Sequence, residues 1–212
     1  MAKASIIAID YQNAAATTAH AYLLPALDQQ IAKHRACFGQ RPKAFDLGCG
    51  NGSVAAHVAG LGFKVVGVDP SASGIEQARA NFKGIEFSIG SADIALAKKH
   101  GKFDLVYSLE VIEHVYNPRS YAATVASLLK EDGVAIISTP YHGYMKNLAI
   151  SLCDDWDKHF TVLWDGGHIK FWSFKTLCAL FAEQGLTPIE MARVGRVPAL
   201  AKSMLVSFKK RS

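Results

Sequence analysis

The sequence predicts an α/β fold in which a mainly parallel sheet is covered by helices on both faces. From Lys43 onward, short apolar segments alternate with longer amphipathic ones, as parallel strands and their connecting helices do. The chain has 212 residues, of which 50% are hydrophobic and 19% are charged. This is enough for one domain with a buried core, which needs no disulfide or metal ion in order to fold.

The predicted elements follow in chain order. Residues 1–40 are rich in alanine, and the apolar spacing from about His20 to Cys37 predicts a helical cap on a domain that occupies 41–212. Strands are predicted at seven apolar segments, namely 44–47, 64–68, 85–88, 103–107, 134–138, 187–194 and 204–208. Helices are predicted over about 51–61, 73–82, 118–130 and 173–184. The last two strands, joined by a loop with Gly195 and Pro198, are expected to form an antiparallel hairpin.

The segment 139–172 interrupts this alternation. It is rich in aromatic residues and histidines and has no clear period, which within an α/β domain is typical of a lid or a substrate-binding insertion. Residues 148–152 are expected to belong to a small amphipathic helix. The rings suit the wall of a pocket for a quinone or phenol, or a membrane interface. The alternative is that they close the core beneath the lid.

The composition argues against several classes of protein. The net charge is +5, from 23 basic and 18 acidic residues, and part of it lies at the C-terminus, so no dense basic stripe for nucleic acid is indicated. The four cysteines form no C-x-x-C pair, which argues against a disulfide framework or a zinc site. No apolar run approaches about 18 residues, and the N-terminus carries no secretory pattern. A cytoplasmic protein is therefore expected.

A glycine-rich turn, DLGCGNG from Asp46 to Gly52, follows the first predicted strand and opens a helix. Glycines allow a backbone to pass close to a ligand, and a helix N-terminus follows at once. Asp69 ends the next strand, where an acid can accept both ribose hydroxyls of an adenosine. The carboxylate of Asp46 would repel a pyrophosphate and suits a cation such as the ammonium of S-adenosylmethionine. A dinucleotide oxidoreductase, and a turn without a ligand, remain alternatives.

Four segments of the chain resemble class I S-adenosylmethionine-dependent methyltransferases. They are FDLGCGNG at 45–52, VGVDPS at 66–71, GSAD at 90–93 and FDLVYSLE at 103–110. The resemblance covers about residues 40–140 and implies a Rossmann-like, seven-stranded sheet that is mostly parallel and ends in an antiparallel hairpin. It implies S-adenosylmethionine as the methyl donor.

The same resemblance implies the residues that bind the donor, which are Asp46, Gly48, Cys49, Gly50, Asp69, Pro70, Ala92, Asp93 and Leu109. The backbone of the glycine turn would lie against the methionine part, and Asp69 would hold the ribose. Ala92 and Asp93 would lie beside the adenine, although an exposed loop aspartate is the alternative for Asp93. Leu109 would line the sulfonium side through its backbone.

Two carboxylates and an imidazole follow the fourth predicted strand, as Glu110, Glu113 and His114. Ligands of parallel α/β sheets bind at this end of the strands. On a helical turn the three residues would share one face, because Glu113 and His114 lie three and four positions after Glu110. Oxygen and nitrogen ligands together suit Mg²⁺, Mn²⁺ or Fe²⁺.

The cluster resembles a narrower group, the O-methyltransferases of ubiquinone synthesis and the small-RNA 3′-end 2′-O-methyltransferases. Both groups carry Glu-x-x-Glu-His with a divalent metal and add a histidine from the following insertion. By that likeness His168 is the candidate fourth ligand, with His142 and His159 as weaker candidates. A metal-free His114 and a purely structural cluster remain alternatives.

The expected reaction is O-methylation of a small phenolic, catechol or vicinal-diol substrate. A metal on Glu110, Glu113, His114 and His168 would chelate two neighbouring oxygens and lower the pKa of the attacking hydroxyl. Without a metal, His114 would act as general base. A metal-independent N-, S- or O-methyltransferase and a non-catalytic adenosylmethionine-binding protein are the other readings.

The expected partner is a small molecule rather than RNA, because the chain shows no additional RNA-binding module and its net charge is small. A lipid-tailed substrate would bring weak membrane association. The N-terminal arm 9–13 lacks the arginine-bearing pattern expected of the ubiquinone group. Its Tyr11 either closes over the cofactor or is an ordinary surface tyrosine.

Overall fold

The computed structural model describes residues 9–92, 96–160 and 163–210. Its strands are β1 Lys43–Leu47, β2 Lys64–Asp69, β3 Glu86–Ile89, β4 Phe103–Ser108, β5 Leu129–Pro140, β6 Leu186–Val194 and β7 Ser203–Lys210. They form one seven-stranded sheet in the order β3-β2-β1-β4-β5-β7-β6. The first five strands are parallel, and β7 runs antiparallel to both β5 and β6. The predicted sheet, with its terminal hairpin, is confirmed.

The α-helices among the described residues are α1 His20–Lys33, α2 Ser53–Gly60, α3 Ala72–Asn81, α4 Leu96–His100, α5 Pro118–Leu128, α6 Tyr144–Leu152, α7 Trp156–Phe160 and α8 Phe174–Ala182. Short 3₁₀ turns occur at Arg35–Cys37, Ile112–His114 and Pro198–Leu200. Helices α4 and α7 are not predicted from the sequence, because each has only five residues and therefore no full amphipathic period.

Three helices begin at a serine or asparagine whose side chain caps the helix N-terminus. Ser71 accepts a hydrogen bond from the backbone of Gly74 at the start of α3, and Asn117 caps α5 in the same way. At α8, Ser173 and Thr176 form a reciprocal capping box. Each such cap contributes about 1 kcal/mol to the stability of its helix.

The two faces of the sheet bury separate hydrophobic clusters. In β5, Ala135 and Ile137 belong to one cluster, while Val134 and Ile136 belong to the other. This follows from the alternation of side chains along a strand. Helices α5 and α8 cover the first face, and α1, α2 and α3 cover the second.

The N-terminal helix α1 is packed into this second layer. Leu23 and Leu27 are buried there, and the buried Gln30 accepts a hydrogen bond from the Ser207 hydroxyl at 2.7 Å. The helix ends at Lys33, and the 3₁₀ turn then continues to Cys37, so the helix is shorter than the sequence predicts. This packing places the residues that precede α1 near the glycine turn.

The insertion 139–172 contains α6, α7 and a loop. The rings at its two ends, Tyr141 and Trp172, are buried in the core, whereas Tyr144 and Trp164 are exposed. The interpretation that the rings close the core therefore holds for Tyr141 and Trp172, while a role of the exposed rings in a pocket or at a membrane stays a prediction. No helix in the described ranges is long and apolar enough to cross a bilayer.

Candidate active site

The glycine turn after β1 has a backbone that only glycine adopts easily. Gly48, Gly50 and Gly52 have φ angles of 88°, 49° and 81°, all in the left-handed region. A Cβ at Gly48 would overlap the side chain of Val111, and one at Gly50 would overlap Tyr11. The turn is tied to the neighbouring strand, because the Gly48 amide donates to the Val68 carbonyl at 2.8 Å. It therefore forms a cradle in which Gly48 is half-buried and Gly50 and Gly52 are buried.

Two acids at the ends of β1 and β2 flank this cradle and differ in their surroundings. The Asp69 carboxylate accepts from the amides of Gly50 and Ser71, each at 2.8 Å, and burial raises its pKa. The Asp46 side chain is only 2% exposed, and its Oδ2 has no hydrogen-bond partner within the described part of the chain. Burial raises the pKa of Asp46 to about 8. An unpartnered buried carboxyl group beside a cavity favours a cationic ligand.

The cavity at the glycine turn is lined by Tyr11, Thr17, His20, Asp46, Gly48, Cys49, Gly50, Asn51, Ser53, Val54 and Leu109. Five predicted cofactor residues are among these, namely Asp46, Gly48, Cys49, Gly50 and Leu109. Asp69 accepts from the Gly50 amide of the turn but is not among the residues that line this cavity, and Pro70 follows it. Ala92 accepts a hydrogen bond from the Thr124 hydroxyl, which fixes the loop after β3. Asp93 lies outside the described residues.

The N-terminal arm lies across the glycine turn. The Tyr11 amide donates to Ser73 at 3.0 Å, and the Asn51 side-chain amide donates to the carbonyls of Asn13 and Ala15. Burial raises the pKa of Tyr11, and the charge of Asp69 raises it further. Tyr11 therefore covers the cradle and is not a surface residue. Thr17 and His20 also line the cavity but are not predicted from the sequence, because no local pattern connects them to a turn some 30 residues later.

The second part of the site begins at the end of β4. Glu113 is 1% exposed, its Oε2 accepts from the Thr139 hydroxyl at 3.1 Å, and its Oε1 has no partner among the described residues. Burial raises the pKa of Glu113 well above its usual value, and the charge of Glu110 adds to this. The Glu113 carbonyl accepts from the amides of Ile169 and Lys170, so the loop of the insertion is held directly against it.

That loop brings His168 to His114. The two rings lie 5.0 Å apart between centroids, and the His114 Nδ1 lies 3.1 Å from the Gly167 carbonyl. A carbonyl oxygen can only accept, so Nδ1 carries the proton and the lone pair of His114 is on Nε2. Burial lowers the pKa of both histidines, that of His168 to about 4. Glu113, His114 and His168 each offer one ligand atom within 4.8 Å of the others.

Glu110 takes a position different from the one predicted. Its carboxylate accepts hydrogen bonds from the hydroxyls of Ser138 at 2.7 Å and Ser203 at 2.9 Å, and it lies outside the three-residue group. The prediction assumed one helical face, but the 3₁₀ turn starts only at Ile112, and Glu110 has a left-handed φ of 54°. The spacing rule for helices therefore does not apply to it.

The two weaker histidine candidates form a second pair in the insertion. The rings of His142 and His159 lie 5.2 Å apart, and Phe171 packs against His142. The Nε2 atoms of both histidines are buried without a partner in the part of the chain that the structure describes. Burial lowers the pKa of His142 to about 4, so both are neutral near pH 7.

The seven-stranded sheet, with a glycine turn after its first strand, is the fold of class I S-adenosylmethionine-dependent methyltransferases. The chain belongs to the methyltransferase domain family, whose model matches residues 16–191. It is 37% identical over 115 residues to the ubiquinone biosynthesis O-methyltransferase of Glaesserella parasuis, covering 50% of this chain and 48% of that one. It is 32% identical over 170 residues to the enzyme of the same name from Ruegeria pomeroyi, covering 77% and 66%. The chain spans about half the length of most curated relatives that it matches.

Solved structures show the same fold at low identity. The PH0226 protein of Pyrococcus horikoshii superposes with a TM-score of 0.71 at 20% identity, covering 95% of each chain. The magnesium protoporphyrin IX methyltransferase of Synechocystis, crystallised with SAH, superposes with a TM-score of 0.66 at 17% identity, covering 89% of this chain and 82% of that one. The residues of this chain fit the methyl donor, because the glycine turn lines a cavity and the buried Oδ2 of Asp46 beside it has no partner among the residues that the structure describes.

Proposed function

We propose that the protein transfers the methyl group of S-adenosylmethionine to a hydroxyl oxygen of a small catechol, phenol or vicinal-diol acceptor. The observation that carries this proposal is the group of Glu113, His114 and His168, which joins the turn after β4 to the loop of the insertion. The names of the curated relatives support O-methylation in particular. The insertion supplies rings for the wall of an acceptor pocket.

We propose that the same group holds a divalent cation. The donor set fits one: Glu113 has an unpartnered buried oxygen, and the two imidazoles are neutral. When bound, the cation would lower the pKa of the acceptor hydroxyl and fix its direction. Glu110, held by two serines, adds negative charge next to Glu113. We therefore assign it a supporting position rather than that of a ligand.

The residues of the chain have separate tasks in this reaction. The glycine turn and Asp69 hold the donor, and Leu109 borders the cavity on the side of the acceptor. Aligning the oxygen with the methyl group supplies on the order of 7–11 kcal/mol. The O–C bond forms as the S–C bond breaks, so that S-adenosylhomocysteine leaves, and the proton of the acceptor oxygen passes to water when His114 ligates a cation or to His114 Nε2 when no cation is bound. The hydrogen bond to Gly167 keeps the His114 ring in a fixed orientation, with Nε2 as its basic atom.

A second candidate is the same reaction without a metal. One observation favours it: the pKa of His114 is lowered, so its Nε2 is free to accept a proton at neutral pH. A general base of this kind contributes about 10²–10⁴-fold to the rate. The acceptor oxygen would then be oriented by the walls of the insertion alone.

Chelation separates the two candidates. Methyl transfer to a panel of catechols is measured with S-adenosylmethionine before and after treatment with excess EDTA, and again after addition of Mg²⁺ or Mn²⁺. We expect activity to fall with the chelator and to return with the ion. An unchanged rate would leave only the version with His114 as base. No turnover of any catechol, phenol or vicinal diol would overturn O-methylation itself.

We also propose weak association with an anionic bilayer, which suits an acceptor with a lipid tail. Helix α6 exposes Tyr144 and Leu152 by 80% and 78%, and Leu148 lies between them on the same face. Co-sedimentation with vesicles that contain anionic lipid measures this directly. Failure of the protein to sediment with them would remove the proposal and leave the O-methylation untouched.

A further inference from the structure

A second cavity lies where the insertion meets the segment between β6 and β7. It has a volume of about 280 Å³ and is lined by Lys146, Ala149, Ile150, Asp155, His159, Arg196 and Leu200. Helices α6 and α7 form one wall, and the segment between β6 and β7 forms the other. Nothing in the cofactor cradle or in the three-residue ligand group uses this space.

The charges around this cavity are unbalanced. The residues that line the cavity include two cations, Lys146 and Arg196, and one acid, Asp155, a charge of 2 − 1 = +1 for the lining, while the carboxylate of Glu110 acts on Lys146 from outside it. In the described part of the chain neither cation forms a salt bridge, and the Lys146 ammonium donates only to the carbonyl of Lys202. Burial lowers the pKa of Lys146 to about 8, and the neighbouring Arg196 contributes to the shift. Holding two like charges together costs free energy that an anion between them would offset.

The cavity and the ligand group are joined through the insertion. His159 lines the cavity, and its ring lies 5.2 Å from that of His142. Phe171, which follows His168 in the same loop, also packs against His142, with the ring centroids 5.0 Å apart. An acceptor whose hydroxyl reaches His168 therefore lies near enough to this cavity to place another of its groups there.

We propose that this cavity binds a carboxylate carried by the methyl acceptor, with Lys146 and Arg196 as its two partners. The proposal rests on the proposed function, because it assigns a part of the acceptor. A single negative charge matches the +1 wall, and a guanidinium pairs with a carboxylate through two parallel hydrogen bonds. The apolar side chains of Ile150 and Leu200 pack against the body of the acceptor next to its acid group.

The test compares two probes of nearly equal shape, 3,4-dihydroxybenzoate and its methyl ester, by calorimetry on the full chain. We expect the acid to bind at least about fivefold more tightly than the ester. Arg196→Met and Lys146→Met should each bring the affinity for the acid down towards that for the ester. The control Lys98→Met removes the same charge from the exposed surface of α4 and should keep the preference. Arg196→Lys should keep part of the preference for the acid, because the positive charge remains while the planar guanidinium, which can form two parallel hydrogen bonds, is lost.

Equal affinities for acid and ester, no binding of the acid, or an unchanged preference in both Met variants would overturn the proposal. Arg196 is exposed, so its variant remains informative if Lys146→Met does not fold. Methyl transfer to both probes is measured in parallel. A preference for the acid without any turnover would uphold the carboxylate site and overturn the catechol chemistry. Turnover of both probes with equal affinities would uphold the catechol chemistry and overturn the carboxylate site.

Discussion

The two halves of the site are built in different ways. The donor half consists of a glycine turn and two acids that lie within 24 residues of one another, from Asp46 to Asp69, and it is held by backbone hydrogen bonds. The acceptor half joins Glu113 and His114 to His168, with support from Thr139 and Gly167, across the whole insertion. The first half is a property of one βαβ unit, whereas the second exists only when the insertion is docked.

The largest effect on activity is expected from substitutions that disrupt the acceptor half alone. His114→Ala and His168→Ala should each reduce the rate of methyl transfer by about 10²–10⁴-fold, because the basic or metal-ligating nitrogen is lost. Calorimetry should show the affinity for S-adenosylmethionine within about threefold of the wild type. His57→Ala, which removes a half-buried histidine from α2, is the matched control and should keep its activity. A parallel loss of donor binding would show that the two halves are not separable.

The converse change breaks the donor half. Asp69→Ala should weaken binding of S-adenosylmethionine by about 10–100-fold, because charge-assisted hydrogen bonds to a bound ribose contribute roughly 1.5–3 kcal/mol. Binding of Mn²⁺, followed by its paramagnetic resonance signal, should be unchanged. Asp132→Ala, at an exposed position of β5, is the control for the loss of one acid. Unaltered donor affinity in Asp69→Ala would refute the role of this acid.

A smaller effect is expected at the arm that covers the donor half. Tyr11→Ala should weaken binding of S-adenosylmethionine by about tenfold, because an aromatic side chain that closes over a ligand buries apolar surface. Tyr11→Phe should stay within about twofold, since the ring rather than the hydroxyl supplies this surface. Tighter binding in Tyr11→Ala would mean that the arm blocks the cradle instead of closing it.

The smallest effect concerns stability and has a defined pH dependence. The pKa of Asp46 is raised from 3.8 to about 8 in the folded protein. Below about pH 4 the group is protonated in both states. Between about pH 4 and 8 the unfolded chain ionises while the folded protein stays protonated, so stability falls as the pH rises.

The substitution Asp46→Asn should remove this loss of stability at higher pH, because asparagine does not ionise. Without cofactor, it should raise the Tm by on the order of a few degrees at pH 7.5 and by much less at pH 4. It should also weaken binding of S-adenosylmethionine, because the carboxyl group that suits a cation is gone. An equal change in Tm at both pH values would exclude ionisation of Asp46 as the cause.

Most of the sheet could be predicted because its strands are short buried segments between turns. The short helices α4 and α7 could not, because five residues do not show a helical period. In the site, the glycine turn was predictable from local backbone rules, but the orientation of Glu110 was not. That carboxylate is held by Ser203, which lies 93 residues away in the chain.

The sequence by itself determined the donor half: positive φ angles at Gly48 and Gly50 and an acid at the end of β2 are consequences of nearby residues. Only the tertiary structure decided which acids and histidines meet in the acceptor half, and that Tyr11 covers the cradle. The physical reason is the range of the contacts involved. His114 is oriented by Gly167, 53 residues later, and Tyr11 is held by Ser73, 62 residues later, and no local preference encodes such pairings.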